Sequence, residues 1–392
     1  MRIAISGAGV AGPALAFWLL RAGHEPTLIE TAPKFRSGGY IVDLWGVGYA
    51  VAERMGLLPE IRDAGYFVRE LRFVDAQGRK SGGFGVEAFR RTLGDRFVSL
   101  PRGDLAQVIY RAIENRVETL FGTSIETLED RGDRVSLTIG GRDRDFDLVI
   151  GADGLHSQVR ALRFGPLQAF ERRLGYHVAA FEADGYRPRD ELVYVSHGMP
   201  GLQISRFALR ADRTMFLLVF ADEHLEGPEP RDLAARKVAI GRIFGGTTWE
   251  WPAIADALAA AGEVYFDRVS QIAMPAWSKG RVCLLGDAAG CVSLLAGEGT
   301  GLALTEAYVL AGALERSGGD HRAAFDAFER KLRPLIVRKQ RSARSFAGAF
   351  TPRTRLGLWF RDQMTKLMVV PFVAEALVGA DVRDDFELPD YG

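Results

Sequence analysis

Short apolar runs and amphipathic stretches alternate over the first 72 residues, give way to strands alone, and then return. Ile3, Ala4 and Ile5 predict a buried strand, Ala14 to Leu20 an amphipathic helix, and Thr27 to Ile29 a second strand. Another helix ends over Val51 to Leu58. From Leu71 to Val98 the pattern is of short strands and glycine-rich turns, among them the run QGRKSGG at 77–83. Leu105 to Asn115 predict a helix. Thr119, Ile125 and the alternation from Val135 to Ile139 predict further strands, and Asp147 to Ile150 predict a buried strand entering Gly151.

Between about 172 and 220 the chain reads as strands only: Tyr176 to Phe181, Glu191 to Val195, Leu202 to Ala208 and Thr214 to Phe220. Helices are expected at 231–244 and 252–261, a buried strand at Val282 to Leu285, and a helix from about Gly301 to Leu314. This order implies an α/β protein in which a Rossmann-like fold is interrupted by a β-rich insertion. The expected domains are a discontinuous nucleotide-binding unit (1–72, 98–171 and 271–330), a β-rich unit (73–97 and 172–270) and a C-terminal helical segment (331–392).

The glycine spacing turns this architecture into chemistry. Gly7, Gly9 and Gly12 stand in GAGVAG between the first strand and the first helix. The first glycine permits a tight turn, the second lets backbone approach a pyrophosphate, and the third lets helix pack on strand. Val10 and Ala11 lie in the same loop, where a helix N-terminus offers free N–H groups to phosphate. Glu30 closes the second strand twenty-three residues after Gly7. It suits the hydroxyls of an adenosine ribose and repels a 2′-phosphate, so this unit is expected to take FAD or NAD.

Three later motifs join it. Arg102 in PRGDL precedes a helix and can bridge cofactor oxygens with paired donors. Asp153 and Gly154 in GADGLHSQVR follow the strand 147–150, at the strand end where open α/β sheets bind ligands. Gly286 and Asp287 follow 282–285 in the same way, placing a carboxylate that suits the hydroxyls of a ribityl chain. The run GEGTG at 297–301 then opens a helix whose N–H groups can face a flavin pyrimidine edge.

Composition narrows the partners. The 392 residues are 47% hydrophobic and 26% charged with no net charge, which disfavours a general nucleic-acid binder. Two cysteines, Cys283 and Cys291, supply neither a disulfide framework nor a zinc site, and no metal is expected. Arg2 and the small residues after it resemble a secretory leader, but three glycines interrupt the run. A cytoplasmic protein without stable membrane insertion is expected. Residues 331–370 carry ten Lys or Arg against Asp362. They are expected to form a basic helix whose apolar face (Leu356, Trp359, Phe360, Leu367) packs on the body, with a helix lying on a membrane surface as the alternative.

With these motifs in order over nearly its whole length, the chain resembles the single-component FAD-dependent aromatic hydroxylases, the p-hydroxybenzoate hydroxylase superfamily. The stretch GGYIVDLWGVG at 38–48 with Met55, Gly56 and Leu57 is most similar to tetracycline-inactivating flavin monooxygenases and antibiotic-tailoring relatives. The resemblance implies Glu30 at the adenosine ribose, and Arg36 and Arg102 at the ribityl and phosphate region. It further implies Asp153 at FAD and a transient NADPH or NADH, Asp287 at the ribityl hydroxyls, and Gly299, Thr300, Gly301 and Leu302 at the isoalloxazine edge. It also implies hydroxylation of a small aromatic or polyketide-like molecule with O2 through a flavin C4a-hydroperoxide, in a monomer or homodimer.

The sequence departs from that pattern beside the flavin. Gly290 stands where relatives carry histidine, Leu294 where they carry proline, Glu298 for glutamine and Gly301 for asparagine. His177, Phe181, Tyr194, Phe207, Phe216, Phe220 and Leu294 are candidates for the substrate wall, with His177 able to deprotonate a phenol near neutral pH. Three other readings stay open. A halogenase is suggested by Trp249-Glu250-Trp251, although Pro252 and Ile254 follow in the wrong order. A flavin dehydrogenase or reductase would lack oxygen transfer. A non-catalytic FAD protein would bind and shield an intermediate.

Overall fold

The computed structural model describes residues 1–35, 39–85, 95–367 and 386–391, and Arg36 and Gly38 lie outside the described residues. A six-stranded sheet organises the nucleotide-binding part. Its order is Ser278–Lys279, Val282–Leu284, Leu148–Gly151, Arg2–Ser6, Glu25–Glu30 and Glu118–Phe121. All neighbours are parallel except the first pair. Ile3, Ile5, Leu28, Leu148, Val149, Ile150 and Val282 are all fully buried in it, as a parallel sheet covered on both faces requires.

Register decides where the chemistry collects. Ile29, Ser6, Gly151 and Leu284 stand side by side in one row across four parallel strands. Each strand therefore hands its next residues (Glu30, Gly7, Ala152 and Leu285) to the same carboxyl edge, and backbone bonds continue the row beyond the sheet. Gly7 donates to Ile29 at 2.7 Å, Ala152 to Ser6 at 2.8 Å and Leu285 to Gly151 at 2.8 Å.

The second large sheet has seven strands, in the order Tyr265–Ile272, Glu171–Asp184, Arg213–Ala221, Leu202–Ala208, Val193–Met199, Glu70–Val74 and Lys80–Gly85. It is antiparallel except where Val193–Met199 runs parallel to Glu70–Val74. Helices Leu233–Phe244 and Trp251–Ala260 cover its outer face, through a core containing Phe181, Phe216, Phe220, Ile240, Phe244 and Ile254. Its inner face carries Tyr176, Val178 and Val219 against Leu294 and Leu295, and Phe207 and Tyr194 against Tyr40 and Tyr66. Three further strands (Ile125–Asp130, Val135–Ile139 and Arg142–Phe146) form a small antiparallel sheet.

Helix Gly299–Arg316 runs through the centre, buried from Leu302 to Leu314 and rich in Ala and Gly because helices Ala11–Arg21 and Gly46–Met55 press on it. A Cβ on Gly48 would lie 2.4 Å from the Cα of Gly301, so the two backbones approach closely enough to require glycine at 48, whereas a Cβ on Gly301 would find ordinary contact at 3.6 Å. Helix His321–Phe350 is 30 residues long, includes Pro334, and crosses the boundary expected at 330/331.

The last described helix, Arg355–Leu367, corrects an expectation. Leu356 is 74% exposed and Trp359 and Phe360 are each 58% exposed, so the apolar face looks outward. The docked face is polar: Thr365 Oγ1 accepts the Gly83 N–H at 2.9 Å, and Ser81 donates to Asp362 at 2.6 Å. Lys80–Gly85 is an edge strand, and its unpaired backbone groups need polar partners more than apolar cover. Hydrophobicity alone misjudged which face meets the body.

Candidate active site

The glycine loop is held by its own backbone. Gly7 has a φ of +104°, and a Cβ there would lie 2.5 Å from the carbonyl oxygen of Ala152. A Cβ on Gly12 would lie 1.9 Å from the oxygen of Gly7, and one on Gly9 would meet the Arg102 guanidinium at 3.3 Å. Helix Ala11–Arg21 starts one residue earlier than Gly12, with Val10 at its N-cap and no side chain capping it. Its first N–H groups are thus left for a ligand. Helix Gly299–Arg316 is uncapped in the same way, with no acid in its first turn.

Around these two helix starts stand the charged residues. Glu30 accepts the Ala8 N–H at 2.8 Å and the Ala32 N–H at 2.8 Å, so its carboxylate lies fixed over the loop. Burial opposes the charge on Arg102, yet Tyr40, Asp287, Tyr265 and Glu30 outweigh it and hold its pKa above the ordinary value. The charges of Glu30 and Asp287 thus both act on that one guanidinium. Tyr40 and Tyr265, with ring centroids 5.8 Å apart, flank it, and burial pushes the Tyr40 hydroxyl up to about 12. Asp287 opens a short helix after Gly286, and a Cβ on Gly299 would lie 3.6 Å from its Oδ1. This set fits a dinucleotide: a glycine cradle with an arginine over it, two uncapped helix starts, and carboxylates at both ends.

Asp153 is turned inward. It accepts from Ser157, from the Gln158 N–H at 2.8 Å and from the Val159 N–H at 3.1 Å, so most of its capacity organises the start of helix Gln158–Arg163. Burial nonetheless raises its pKa, with those hydrogen bonds pulling the other way.

The substrate-wall candidates divide between the two faces of the seven-stranded sheet. Tyr194 and Phe207 lie on the inner face, and Leu294 packs there too. His177, Phe181, Phe216 and Phe220 do not join them. Phe181, Phe216 and Phe220 are core beneath the outer helices. His177 stacks on Phe220 with centroids 5.4 Å apart and pairs with Asp222 at 3.0 Å and Glu229 at 3.3 Å. The strand period of two separates two faces but does not say which one looks inward when both are apolar. Phe216→Ala is therefore expected to cost about 3–5 kcal/mol in urea unfolding while leaving FAD affinity unchanged.

The Trp249-Glu250-Trp251 triplet also belongs to the outer side. Trp251 packs on Phe244, Glu250 binds Arg206 at 2.8 Å, and Trp249 lies against His197.

Three of the four family departures have a local counterpart. A Cβ on Gly290 would lie 2.9 Å from Cγ2 of Ile336, so a larger residue has no room beneath helix His321–Phe350. Glu298 is met by Lys339 at 2.8 Å, both largely buried. Gly301 faces Gly48.

Several residues escaped sequence reasoning. Asp43, in the strand Ile41–Trp45, is pushed up to about 6 by burial despite the hydrogen bond from Ser99. It borders a small cavity with Trp45, Glu298, Gly301 and Lys339. Arg160 is 1% exposed and donates to the carbonyls of Ala288 and Leu155, tying the 151–160 segment to the Asp287 turn. A charge within a strongly apolar stretch was the available signal for Asp43, whereas Arg160 gave none.

Comparison with known proteins agrees with this geometry. Residues 1–336 match the family described as FAD binding domain. An uncharacterised protein of Mycobacterium tuberculosis is 38% identical over 350 residues, covering 86% of this chain and 91% of that protein. A flavin-dependent monooxygenase from an unknown prokaryotic organism is 33% identical over 341 residues, 87% of each chain. The crystal structure of the tetracycline destructase Tet(51) superposes with a TM-score of 0.84 at 28% identity, covering 100% of this chain and 99% of that one. The chain belongs to the FAD-binding-domain family, and its fold and cofactor are those of the flavoprotein monooxygenases. It is an FAD-dependent oxidative enzyme.

Proposed function

We propose that the protein hydroxylates a small aromatic or polyketide-like molecule, using NADPH or NADH and O2. The observation that carries this reading is the position of the inner sheet face. Tyr176, Val178 and Val219 pack against Leu294 and Leu295, and Leu294 opens the short turn that leads into the uncapped helix start at Gly299. An apolar wall beside a flavin-binding helix start suits a planar, weakly polar substrate.

FAD, when bound, supplies the electron transfer from the nicotinamide and the activation of oxygen. The protein's part is binding, orientation and exclusion of water. The loop from Gly7 to Gly12 holds the pyrophosphate, Glu30 the ribose, Arg102 cofactor oxygens and Asp287 the ribityl hydroxyls, while Gly299 to Leu302 direct N–H groups to the ring edge. Asp153 shapes the neighbouring loop, and Tyr194, Phe207 and Leu294 contribute to the substrate wall. Similarity to a tetracycline destructase favours a fused-ring, polyketide-like substrate. A cytoplasmic monomer or homodimer completes the reading.

The test is nicotinamide oxidation by the FAD-loaded protein across a panel of phenols and polyketides under labelled oxygen. A stimulating compound that gains one labelled oxygen atom is expected. Stimulated oxidation with no labelled product would favour a reductase and sink the hydroxylase reading.

A further inference from the structure

The helix Gly299–Arg316 carries an acid inside its buried stretch, and the roles assigned above do not use it. Glu306 is 2% exposed. One of its carboxyl oxygens accepts the Gly286 N–H at 2.6 Å. Gly286 precedes Asp287 and has a φ of +62°, so the turn that presents Asp287 is fixed from behind by this hydrogen bond. The same helix begins, two turns earlier, with the four residues that address the ring edge.

We propose that Glu306 is a positioning residue for FAD: it clasps the Gly286–Asp287 turn to the helix that receives the flavin ring, setting the distance between the two cofactor-holding segments. The inference rests on the flavin reading above.

The surroundings fix which form of Glu306 does this. From the turn, Asp287 faces it, and from the strand Val282–Leu284, Cys283 does, its thiol pushed up by burial. On the neighbouring helix Gly46–Met55, Arg54 is turned instead to the Tyr308 hydroxyl and the Pro389 carbonyl. Helix Ala11–Arg21 brings the Ala11 methyl to within 3.3 Å of a Cβ placed on Gly286. Burial raises the pKa of Glu306, the Gly286 hydrogen bond pulls it down and the charge of Asp287 raises it, to about 8 in all. At neutral pH the clasp is thus an uncharged acid. The folded chain keeps a proton that the unfolded chain releases above the ordinary carboxylate range. Stability therefore falls as pH rises from that range to about 8 and is level above it. Ionisation above pH 8 also sets a buried negative charge close to Asp287.

FAD titrations monitored by flavin fluorescence, for the wild type, Glu306→Gln and Glu306→Leu, test this together with urea unfolding of the cofactor-free proteins. Glu306→Gln, which keeps an acceptor for Gly286 without the charge, is expected to bind FAD within about threefold of the wild type at pH 7, and Glu306→Leu about thirtyfold more weakly. Between pH 7 and pH 9.5 the wild-type Kd is expected to rise about tenfold while that of Glu306→Gln stays flat. The urea midpoint of the wild type should fall from pH 5 to pH 8 relative to that of Glu306→Gln. Wild-type affinity in Glu306→Leu, or a Glu306→Gln pH curve that follows the wild type, would overturn the assignment while leaving the flavin reading intact. Failure of the wild type to take up FAD at any pH would overturn both.

Discussion

Gly12→Ala is expected to lose FAD and to unfold at a markedly lower urea concentration, with a cost of roughly 3 kcal/mol or more. The added Cβ would sit 1.9 Å from the oxygen of Gly7 and 3.3 Å from Cδ2 of Leu28. The first neighbour is backbone and cannot rotate away. Relief requires the helix to lift from the sheet, and that lifts its first N–H groups from the place where Val10 and Ala11 now set them. Flavin fluorescence and denaturant unfolding report the two losses separately. A Gly12→Ala protein with normal FAD content would show that the loop tolerates separation, and the close-packing account would fail.

Asp287→Ala is expected to weaken FAD by about a hundredfold, from the loss of charge-assisted hydrogen bonds to ligand hydroxyls worth roughly 1.5–3 kcal/mol each. The fold should survive, because the turn is held also through the Gly286 N–H and through Arg160 on the Ala288 carbonyl, which leaves the contact of Asp287 with the Cys291 thiol as the one intramolecular loss among the described residues. Isothermal titration with FAD, alongside a thermal melt of the cofactor-free protein, separates affinity from folding. Retention of FAD within threefold would remove Asp287 from the ribityl site.

The glycine spacing and the apolar runs made the parallel sheet legible from sequence, because both follow from local rules: a strand needs a run, and a tight turn needs glycine. Glu30, Arg102 and Asp287 could be placed at one edge for the same reason, since each follows or precedes a recognisable element. What local rules do not carry is which side of an element faces what. His177 and Phe216 alternate as convincingly as Val178 and Val219, and the helices that cover the first pair lie more than ten residues away in the chain. Trp359 and Phe360 looked like core because docking through Asp362 and Thr365 answers the backbone of an edge strand, a need invisible in hydropathy. The departures at Gly290 and Glu298 meet Ile336 and Lys339, some 40 residues on, which no local reading could supply.

Helix His321–Phe350 joins the two lobes along a length of about 45 Å at 1.5 Å per residue. Near its start Phe328 lies against Trp277, and Phe325, Leu332 and Ile336 sit in the nucleotide-binding core. Further on, the Gln340 carbonyl accepts from Gln271, Arg344 donates to the Gln271 side chain at 3.2 Å, and Phe350 packs on the inner sheet face. Such a splint makes hinge-like opening costly, since swinging one lobe would pull apolar side chains out at one end or break buried amide pairs at the other. Rearrangement at the site then falls to side chains that turn without bending it, such as that of Tyr265, which is 36% exposed.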